Sequence, residues 1–402
     1  MSPAPLTPAF LVLHGHRIED LRDEVAGFIQ GHPLGALETE QFLVQSNGTA
    51  EWLKMSLAQQ HGICAATRLQ LPGQFQWWLY RTVLGAHAVP ERSPLDKSTL
   101  AWRLMDRLAG LAPDADPVFA PLANYLGTGD PLRRYQLARR IADLYDQYQV
   151  HRPDWLERWA AGEAVLCDAR GRTTALDRAQ LWQAALWQQV LATLAPNDAA
   201  LIRPHVHERV IEALTTRAPT PRLLARLPRR VVVFGLTHLP YPTLRLLAAL
   251  SQHSQVVRAV PNPCRFHWAD IVEGAELLRA RNRRQPLRGG SDAVRAAPED
   301  LQPLGHPLLA AWGRQSRDFI GLLEEFDDAQ RTRAQFAQVR IDLFDDGDAP
   351  IADLPLLAQV QRHIRDLAPL GEHPHPRVPD TDRSIVFHIA HSPVREIGRA
   401  HV

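Results

Sequence analysis

Residues 142–155, ADLYDQYQVHRPDW, bring carboxylate, amide and guanidinium side chains together within a few positions. Asp143 and Asp146 are spaced i,i+3, so on a helix they could share one metal ion, although no third acidic ligand is evident. The same groups could instead recognise bases through hydrogen bonds. Asp accepts a hydrogen bond from cytosine, Arg donates to guanine, and the Gln amide both donates to and accepts from adenine. The simplest interpretation is a solvated helix face with an Arg139–Asp143 ion pair worth about 0.3–0.5 kcal/mol. The pattern alone favours this last interpretation.

The helix that carries these residues has an apolar and a polar face. On a helical wheel, one arc holds small, apolar and aromatic residues that we expect to lie in or line the core: Tyr135, Ala138, Ile141, Ala142, Tyr145 and Tyr148. Arg139, Asp143 and Asp146 fall on a different face, within about 60° of one another. Both aspartates are therefore predicted to point away from the core.

A second group of polar and aromatic residues lies in QSNGTAEWL (45–53) and LPGQFQWW (71–78). Polar groups at the end of a buried strand and the start of a helix suit a phosphate or a base. Trp77 and Trp78 are adjacent, so one ring could pack inward while the other stacks on an unpaired base. The alternative, with both rings in the core, stays open.

Residues for nucleotide hydrolysis, nuclease chemistry and metal binding are missing from the sequence. A phosphate-binding P-loop needs several glycines followed by Lys and Ser or Thr, but the turn HGHRIED (14–20) has one glycine and no lysine. The only lysines are Lys54 and Lys97, and neither follows a glycine-rich loop. The turn GLTHLP (235–240) lacks the acidic residues that would hold Mg²⁺. We therefore predict no catalytic residues, no metal site and no cofactor for this chain.

Composition narrows the class of protein. The 402 residues are 45% hydrophobic and carry a net charge of +1, so the chain is globular and any contact with DNA must be local. The three cysteines are far apart, which fits a reducing compartment. The start, MSPAPLTPAF, does not resemble a signal peptide, and no apolar run reaches membrane-spanning length. We expect a cytoplasmic protein without membrane association.

Strand-and-helix units flank a long helical stretch. Buried strands followed by turns and helices are predicted in 9–16, 41–48 and 229–235, with a further strand at 255–260. From about residue 95 to 228 the periodicity is helical almost throughout. This order predicts an α/β fold with a parallel sheet and a large all-α insertion.

The last part of the chain contains predicted loops and one incomplete unit. The segments 283–305 and 369–383 are rich in Arg, Pro, Gly and Asp and are predicted to be surface loops. SIVFHIAHSPVRE (384–396) begins a further strand and turn, but too few residues follow it to cover a sheet face. The pattern predicts that the chain is truncated at the start of a next domain.

Five stretches of the chain resemble the RecC family, the gamma subunit of exodeoxyribonuclease V (RecBCD). They are FLVQSNGTAEWLKMSLAQQHGICAA (42–66), ADLYDQYQVHRPDWLERW (142–159), VPNPCRFHWADI (260–271), GHPLLAAWGRQSRDFIGLLEEF (305–326) and SIVFHIAHSPVRE (384–396). Their Trp, Pro and Gly residues make the resemblance specific, and Cys64 stands where the family commonly has alanine. The resemblance runs nearly end to end but covers only the N-terminal part of a typical family member.

The resemblance implies a superfamily 1 helicase-like (RecA-like) fold that has lost its ATPase site. The implied organisation has four parts: the first part of helicase-like domain 1A at 1–92, a helical 1B-like insertion at 93–228, the second part of domain 1A with its loops at 229–380, and the truncated start of a second helicase-like domain at 384–402.

The resemblance also implies residues that scan single-stranded DNA for the recombination hotspot sequence Chi. The matching positions are Gln45, Leu71, Trp77, Asp143, Leu144, Asp146, Gln147, Arg152 and Arg203. Two further positions of this DNA- and Chi-binding set depart from the family: Asn47 replaces threonine, and Glu51 replaces glutamine. Glu51 adds a negative charge and lacks the amide N–H donors of the glutamine that the family has there. The hotspot sequence recognised by this chain can therefore differ from that of the family. The resemblance thus favours base reading by the helix at 131–152.

The function implied is that of a non-catalytic DNA-binding and Chi-recognition scaffold in recombinational repair of double-strand breaks. The implied partners are the RecB and RecD subunits, duplex DNA ends and single-stranded DNA. ATP and Mg²⁺ are expected to be used by the partner subunits, not by this chain. Two alternatives stay open: an active ATP-dependent DNA helicase subunit, and a purely structural docking module.

Overall fold

The computed structural model describes most of the chain, in these ranges: 6–35, 37–111, 116–127, 130–168, 172–216, 220–266, 268, 306–324, 326, 343–344, 349–368 and 378–389. The predicted loop at 283–305 lies outside these ranges, as do residues 369–377 of the second predicted loop and residues 390–402.

The strands form one large sheet and one hairpin. Their bounds are Ala9–Gly15 (β1), Glu40–Leu43 (β2), Thr67–Gln70 (β3), Val165–Cys167 (β4), Thr173–Ala175 (β5), Arg230–Phe234 (β6) and Gln255–Pro261 (β7). The large sheet has the order β1-β7-β6-β2-β3, and every pairing in it is parallel. The predicted parallel α/β sheet is confirmed, and it is compatible with a RecA-like fold.

The helices are numbered here in chain order. Their bounds are Ile18–Gly31 (α1), Asn47–His61 (α2), Pro72–Leu84 (α3), Lys97–Ala109 (α4), Ala120–Leu126 (α5), Pro131–His151 (α6), Pro153–Ala160 (α7), Leu181–Ala192 (α8), Pro196–Ala199 (α9), Arg203–Thr215 (α10), Pro221–Leu224 (α11), Tyr241–Leu250 (α12), Pro307–Trp312 (α13), Arg314–Glu324 (α14) and Leu356–Arg365 (α15).

Helices cover both faces of the sheet, so its central strands are apolar on both sides. On one face, Leu11 and Val257 pack with residues of α1 and α2 such as Val25 and Leu53. On the other face, α3, α10, α12 and α14 contribute the core around Val233. The helices α4 to α8 form a separate core of their own, which includes the buried rings of Tyr145, Trp159 and Trp187.

The prediction that the block at 93–228 is all-helical is wrong at one place, where β4 and β5 form an antiparallel hairpin. Val165 and the threonines of β5 are β-branched and favour extended backbone. The indole N–H of Trp159 donates to the Val165 carbonyl at 2.8 Å, and that of Trp155 donates to the Cys167 carbonyl at 2.9 Å. These contacts hold β4 extended against α7.

The starts of two helices and the presence of one short strand differ from the sequence prediction. The helix α2 begins at Asn47 rather than Thr49, because the Ser46 hydroxyl accepts from the Thr49 N–H at 3.2 Å and caps the helix. It ends as predicted at Gly62, which has the left-handed φ of 79°. The helix α3 already begins at Pro72, since proline suits the first helical position. The short edge strand β3 is not predicted by the sequence pattern.

The predicted strand at 384–396 is not formed within the described residues 384–389. The apolar side chains there are exposed instead, with Phe387 at 89% and Ile389 at 90%. A strand needs a neighbour that accepts and donates its backbone hydrogen bonds, and no strand of the large sheet pairs with this segment. No helix within the described ranges combines the length and apolar character needed to cross a lipid bilayer.

Candidate nucleic-acid interface

The helix α6 separates an apolar from a polar face, as its sequence predicts. Ala138, Ile141, Ala142 and Tyr145 are buried. Asp143 is half exposed, with 46% of its side chain accessible, and 29% of the Asp146 side chain is accessible. The polar face of α6 is therefore available for contacts beyond the core.

The partner of Asp143 is Lys97, at the start of α4, and not Arg139. The Lys97 ammonium donates to the Asp143 carboxylate. This hydrogen bond lowers the pKa of Asp143, with smaller contributions from Arg140 and Arg139. Arg139 instead lies over the Tyr135 ring, 5.9 Å from its centroid. The expected Arg139–Asp143 pair is therefore wrong, and Asp143 is an ionised acceptor held by a neighbouring helix.

Asp146 faces Arg203, the first residue of α10. The Arg203 guanidinium and the Asp146 carboxylate are 3.7 Å apart, and both side chains are largely shielded from solvent. The separation is too long for a direct hydrogen bond but short enough for a strong electrostatic attraction. Two residues 57 positions apart in sequence thus present a donor and an acceptor side by side. Such a pair can contact the edge of a base.

Trp77 lies on α3, which packs against α10. Its indole N–H donates to the Pro90 carbonyl at 3.1 Å, and its ring meets the Tyr80 ring at 5.6 Å in an edge-on arrangement. Trp77 and Trp78 are both half-buried and pack against the core of the sheet. The Trp77 ring is therefore fixed in orientation and retains a partly accessible surface. Leu71, at the N-terminus of the same helix, is also half-buried.

A buried network connects α3 with α10 beside this pair. The Tyr80 hydroxyl accepts from the Gln76 amide and is 2.6 Å from Nδ1 of His207. Burial lowers the pKa of His207 to about 4. The neutral ring then accepts from Tyr80 through Nδ1, and burial raises the pKa of Tyr80 so that it keeps its proton. Gln76, Tyr80, Gln149, Arg203 and His207 all line one narrow cleft.

The network predicts a specific pH dependence of stability. Because the folded pKa of His207 lies below that of an unfolded histidine, the unfolded chain binds more protons between about pH 4 and 6.5. Stability is therefore lost as the pH falls through this range. The free energy of unfolding of the wild type, relative to that of His207→Gln, should fall by up to about 3 kcal/mol between pH 7 and pH 4. Urea unfolding of both proteins at several pH values measures this, and a pH-independent difference would contradict it.

The residues after β2 form a separate exposed group. Gln45 follows the strand and is exposed, and Asn47 is the first residue of α2. The Glu51 carboxylate accepts from Lys54 at 3.0 Å on the exposed surface of the same helix. In the described part of the chain, neither hydrogen bond nor ion pair joins these three residues to α6. They share the carboxyl edge of the sheet with Leu71, because β2 and β3 are parallel neighbours.

Arg152 is engaged within the helical block. Its guanidinium donates to both carboxylate oxygens of Asp154, at 3.0 and 2.6 Å, and also to the Cys167 carbonyl. It lies 4.0 Å from the centroid of the Trp155 ring. Leu144 is half-buried and Gln147 is exposed on α6. The structure thus brings Asp146 and Arg203 together, places Trp77 on an adjoining helix, and keeps Arg152 occupied by its own partners.

The turn between β1 and α1 is filled by protein. The His16 ring is 2.8 Å from the Leu343 carbonyl through Nδ1 and stacks on Phe344 with centroids 5.8 Å apart. A Cβ atom at Gly15 would approach both Leu21 and Leu343 to 3.1 Å. In nucleotide-binding α/β domains this turn wraps a phosphate. Among the described residues, no group of three or more His, Cys, Asp and Glu side chains could hold a metal ion.

The sequence pattern missed Lys97, Gln76, Tyr80, Gln149 and His207 as parts of this region. Lys97 is one of only two lysines, which is a signal, but nothing in the sequence connects it to Asp143. Tyr80 and His207 are 127 residues apart, so their contact depends on the packing of α3 against α10.

Comparison with known proteins identifies the chain's relatives. The model of a family described as "RecC, N-terminal domain" matches residues 10–367. "RecBCD enzyme subunit RecC" of Escherichia coli (strain K12) is 34% identical over 97% of this chain and 34% of its own length. The protein of the same name from Haemophilus influenzae is 30% identical over 98% of this chain and 36% of its own length. That from Mycolicibacterium smegmatis is 28% identical over 96% of this chain and 31% of its own length.

The parallel sheet, its two helical layers and the separate helical core define an α/β protein compatible with the RecA-like class. The chain belongs to the RecC N-terminal domain family. It spans about a third of the length of these curated relatives.

Proposed function

We propose that the chain is the non-catalytic, DNA-reading part of a RecBCD helicase–nuclease subunit in recombinational repair of double-strand breaks. In this proposal it binds single-stranded DNA and recognises a Chi-type hotspot sequence. The relatives are named as RecC subunits of the RecBCD enzyme, so the proposed partners are RecB and RecD, with duplex DNA ends as the entering substrate. ATP and Mg²⁺ would be used by those partners, and the assembly would be cytoplasmic.

The observation that carries the proposal is the Asp146–Arg203 pair beside α3. The carboxylate can accept from the exocyclic amine of cytosine, and the guanidinium can donate to guanine. The two groups are 3.7 Å apart, so a base edge could bridge between them. Trp77, with its indole N–H fixed by Pro90, would offer a stacking surface nearby. Gln45, Asn47, Glu51, Leu71, Leu144 and Gln147 would line the path of the strand.

A non-catalytic role is supported by the filled turn after β1. A phosphate bound there would need the backbone N–H groups at the start of α1. Leu343 and Phe344 cover this turn through their contacts with His16. An active ATP-dependent helicase would require those residues to move away and would still lack the P-loop lysine. This supports a scaffold rather than a motor.

The proposed domain organisation follows the same reasoning. The residues 1–92 and 229–380 would form a helicase-like domain 1A around the parallel sheet, and 93–228 would be a 1B-like insertion, of which the part from Leu95 to Ile202 has its own core. Limited proteolysis that cuts near residues 93 and 228 before it cuts elsewhere would support the inserted block.

The test of the proposed function is Asp146→Ala in the assembled enzyme, prepared with the complete subunit and both partners. Duplex unwinding should stay at the wild-type rate, because Asp146 is not part of a motor site. The frequency of hotspot-dependent pausing should fall about tenfold, which matches the loss of one base contact worth 1–3 kcal/mol. Single-molecule unwinding on DNA with and without the hotspot measures both quantities.

Two further variants separate reading from folding. Asp106→Ala removes an exposed carboxylate that pairs only with its neighbour Arg107 and should change neither quantity. The exchanged pair Asp146→Arg with Arg203→Asp keeps the attraction but moves donor and acceptor. If the exchanged pair restores the wild-type response, the two residues hold helices together and do not read bases.

A docking role for part of this surface has its own support. Asp143 is already held by Lys97, and Arg152 by Asp154 and the Cys167 carbonyl. These residues could stabilise the helical block for contact with another subunit without touching DNA. Ultraviolet crosslinking of a single-stranded oligonucleotide to Trp77 would favour the reader, and its absence would favour docking.

A further inference from the structure

The outer surface of α4, α5 and α6 carries a set of exposed and half-buried side chains, which we call the basic–aromatic strip: Trp102, Tyr125, Leu132, Arg133, Tyr135 and Arg139. Trp102 is 64% exposed, Leu132 is 62% exposed and Tyr125 is 50% exposed. Two other tryptophans of the helical block, Trp159 and Trp187, are fully buried. An exposed tryptophan beside an exposed and a half-buried tyrosine is typical of a binding surface.

The rings of the strip are held in place by their neighbours. The Trp102 and Tyr135 rings are 5.7 Å apart and connect α4 with α6. The Arg139 guanidinium lies 5.9 Å from the Tyr135 centroid, and that of Arg133 lies 5.7 Å from the Tyr125 centroid. Arg133 also donates to the Tyr125 carbonyl at 3.3 Å. Rings fixed in this way bind a flat partner at a lower cost in side-chain entropy.

The strip has a local positive charge in a chain that is nearly neutral overall. Residues 131–142 contain four arginines, Arg133, Arg134, Arg139 and Arg140, and no acidic residue. The acids that flank this stretch in the sequence already have partners, since Asp130 caps α6 by accepting from the Leu132 N–H at 2.9 Å and Asp143 holds Lys97. The charge of the strip is therefore complementary to a polyanion.

The strip continues into the candidate reading site along one helix. Leu132, Arg139, Asp143 and Asp146 follow one face of α6, and the half-buried Tyr135 lies at the border between this face and the apolar arc. Eleven residues separate Tyr135 from Asp146, which is about 16 Å along a helix. A partner that lies on the strip would thus reach the Asp146–Arg203 pair directly.

We propose that the basic–aromatic strip is a second binding surface for single-stranded DNA, which rests on the proposed function. Trp102 and Tyr135 stack on bases, while Arg133 and Arg139 contact phosphates. Binding by the strip does not depend on the DNA sequence, because every base can stack on an aromatic ring. It leads the strand along α6 to the residues that inspect base edges.

Binding of a fluorescent oligodeoxythymidine to the 402-residue chain tests the strip. Trp102→Ala should weaken binding about fivefold or more, the lower end for loss of one stacked base. The double variant Arg133→Gln with Arg139→Gln should reduce the slope of log affinity against log salt by about 1.4, as expected for two lost phosphate contacts on a single strand. Photocrosslinking to iodouridine DNA, mapped by mass spectrometry, should modify Trp102 or Tyr135.

Matched controls lie elsewhere on the surface. Trp312 is 82% exposed on α13, so Trp312→Ala removes an exposed ring from a different element. Arg222 in α11 and Arg226 shortly after it are both exposed, so Arg222→Gln with Arg226→Gln removes the same charge there. Both controls should bind DNA like wild type. Circular dichroism at the assay temperature confirms that each variant is folded.

The outcomes distinguish this inference from the proposed function. In one outcome, Trp77→Ala and Arg203→Gln weaken binding while the strip variants do not. That result would support base contacts at the Asp146–Arg203 pair and would contradict DNA binding by the basic–aromatic strip. If the wild-type chain binds no oligonucleotide at all, both proposals fail for this chain. If the strip variants bind DNA normally but lose association with a partner subunit, the surface docks protein and the inference is wrong.

Discussion

Replacing Arg230 by methionine is expected to lower the free energy of unfolding by about 3–5 kcal/mol. Arg230 is fully buried in β6, and its guanidinium donates to the Glu40 carboxylate in the neighbouring strand β2, with one contact at 3.0 Å. It also donates to the His32 carbonyl at 2.9 Å. Methionine fills similar space but leaves the Glu40 charge buried with no partner. Urea unfolding at neutral pH, followed by circular dichroism, measures the change.

The neighbouring position gives a matched control. Arg229 pairs with Glu38 at 3.3 Å, but both side chains are more than a third exposed, so Arg229→Met should cost less than about 1 kcal/mol. The double variant Arg230→Met with Glu40→Met should recover much of the loss, because it removes both buried charges. A loss from Arg230→Met as small as that from Arg229→Met would contradict the buried pair.

Replacing Trp159 by alanine is expected to destabilise the helical block by about 3–5 kcal/mol. The ring is fully buried on α7 and meets Tyr148 of α6 edge-on, with centroids 5.7 Å apart. Its N–H also fixes the hairpin through the Val165 carbonyl. The substitution therefore leaves a large cavity and frees a strand carbonyl at the same time. Thermal unfolding by near-ultraviolet circular dichroism reports on this aromatic cluster.

The control for Trp159→Ala is Trp102→Ala, in the same block. Trp102 is mostly exposed, so its removal should change stability by less than about 0.5 kcal/mol. Because the block has a core separate from those of the sheet, hydrogen exchange should accelerate in α6 to α8 of Trp159→Ala and much less in β1 and β7. Equal acceleration everywhere would show that the two parts unfold together.

The sequence pattern predicts the elements that depend on local periodicity. The continuous apolar runs of β1, β6 and β7 predict strands that are buried on both faces. Such strands are typical of a parallel sheet covered by helices on both sides. The wheel of α6 correctly separates buried Ala142 and Tyr145 from Asp143 and Asp146. Trp159 and Trp187 are less predictable, because their burial depends on how helices of the block meet.

The contacts of the candidate site could not be predicted, because they join distant residues. Asp143 has a local candidate in Arg139 but pairs with Lys97, 46 positions away, since α4 lies alongside α6. Asp146 meets Arg203 only after α10 packs against α3. The short strands β3 (TRLQ) and β5 (TTA) could not be predicted for a different reason. They are too short to show alternation of apolar and polar residues, and they are strands because they pair with neighbouring strands.

The strand order has a consequence for how the chain is made on the ribosome. Ala9 pairs with Gln255, and among the strands of the described residues β1 is hydrogen-bonded only to β7. Gln255 follows Ala9 by 246 positions, so at translation rates of 5–20 residues per second it is synthesised about 12–50 s later. During that interval the apolar segment AFLVLHG has no neighbour and is exposed to aggregation or to capture by chaperones. Fast synthesis of the helical block, or a chaperone bound near the N-terminus, would therefore raise the yield of correctly folded protein.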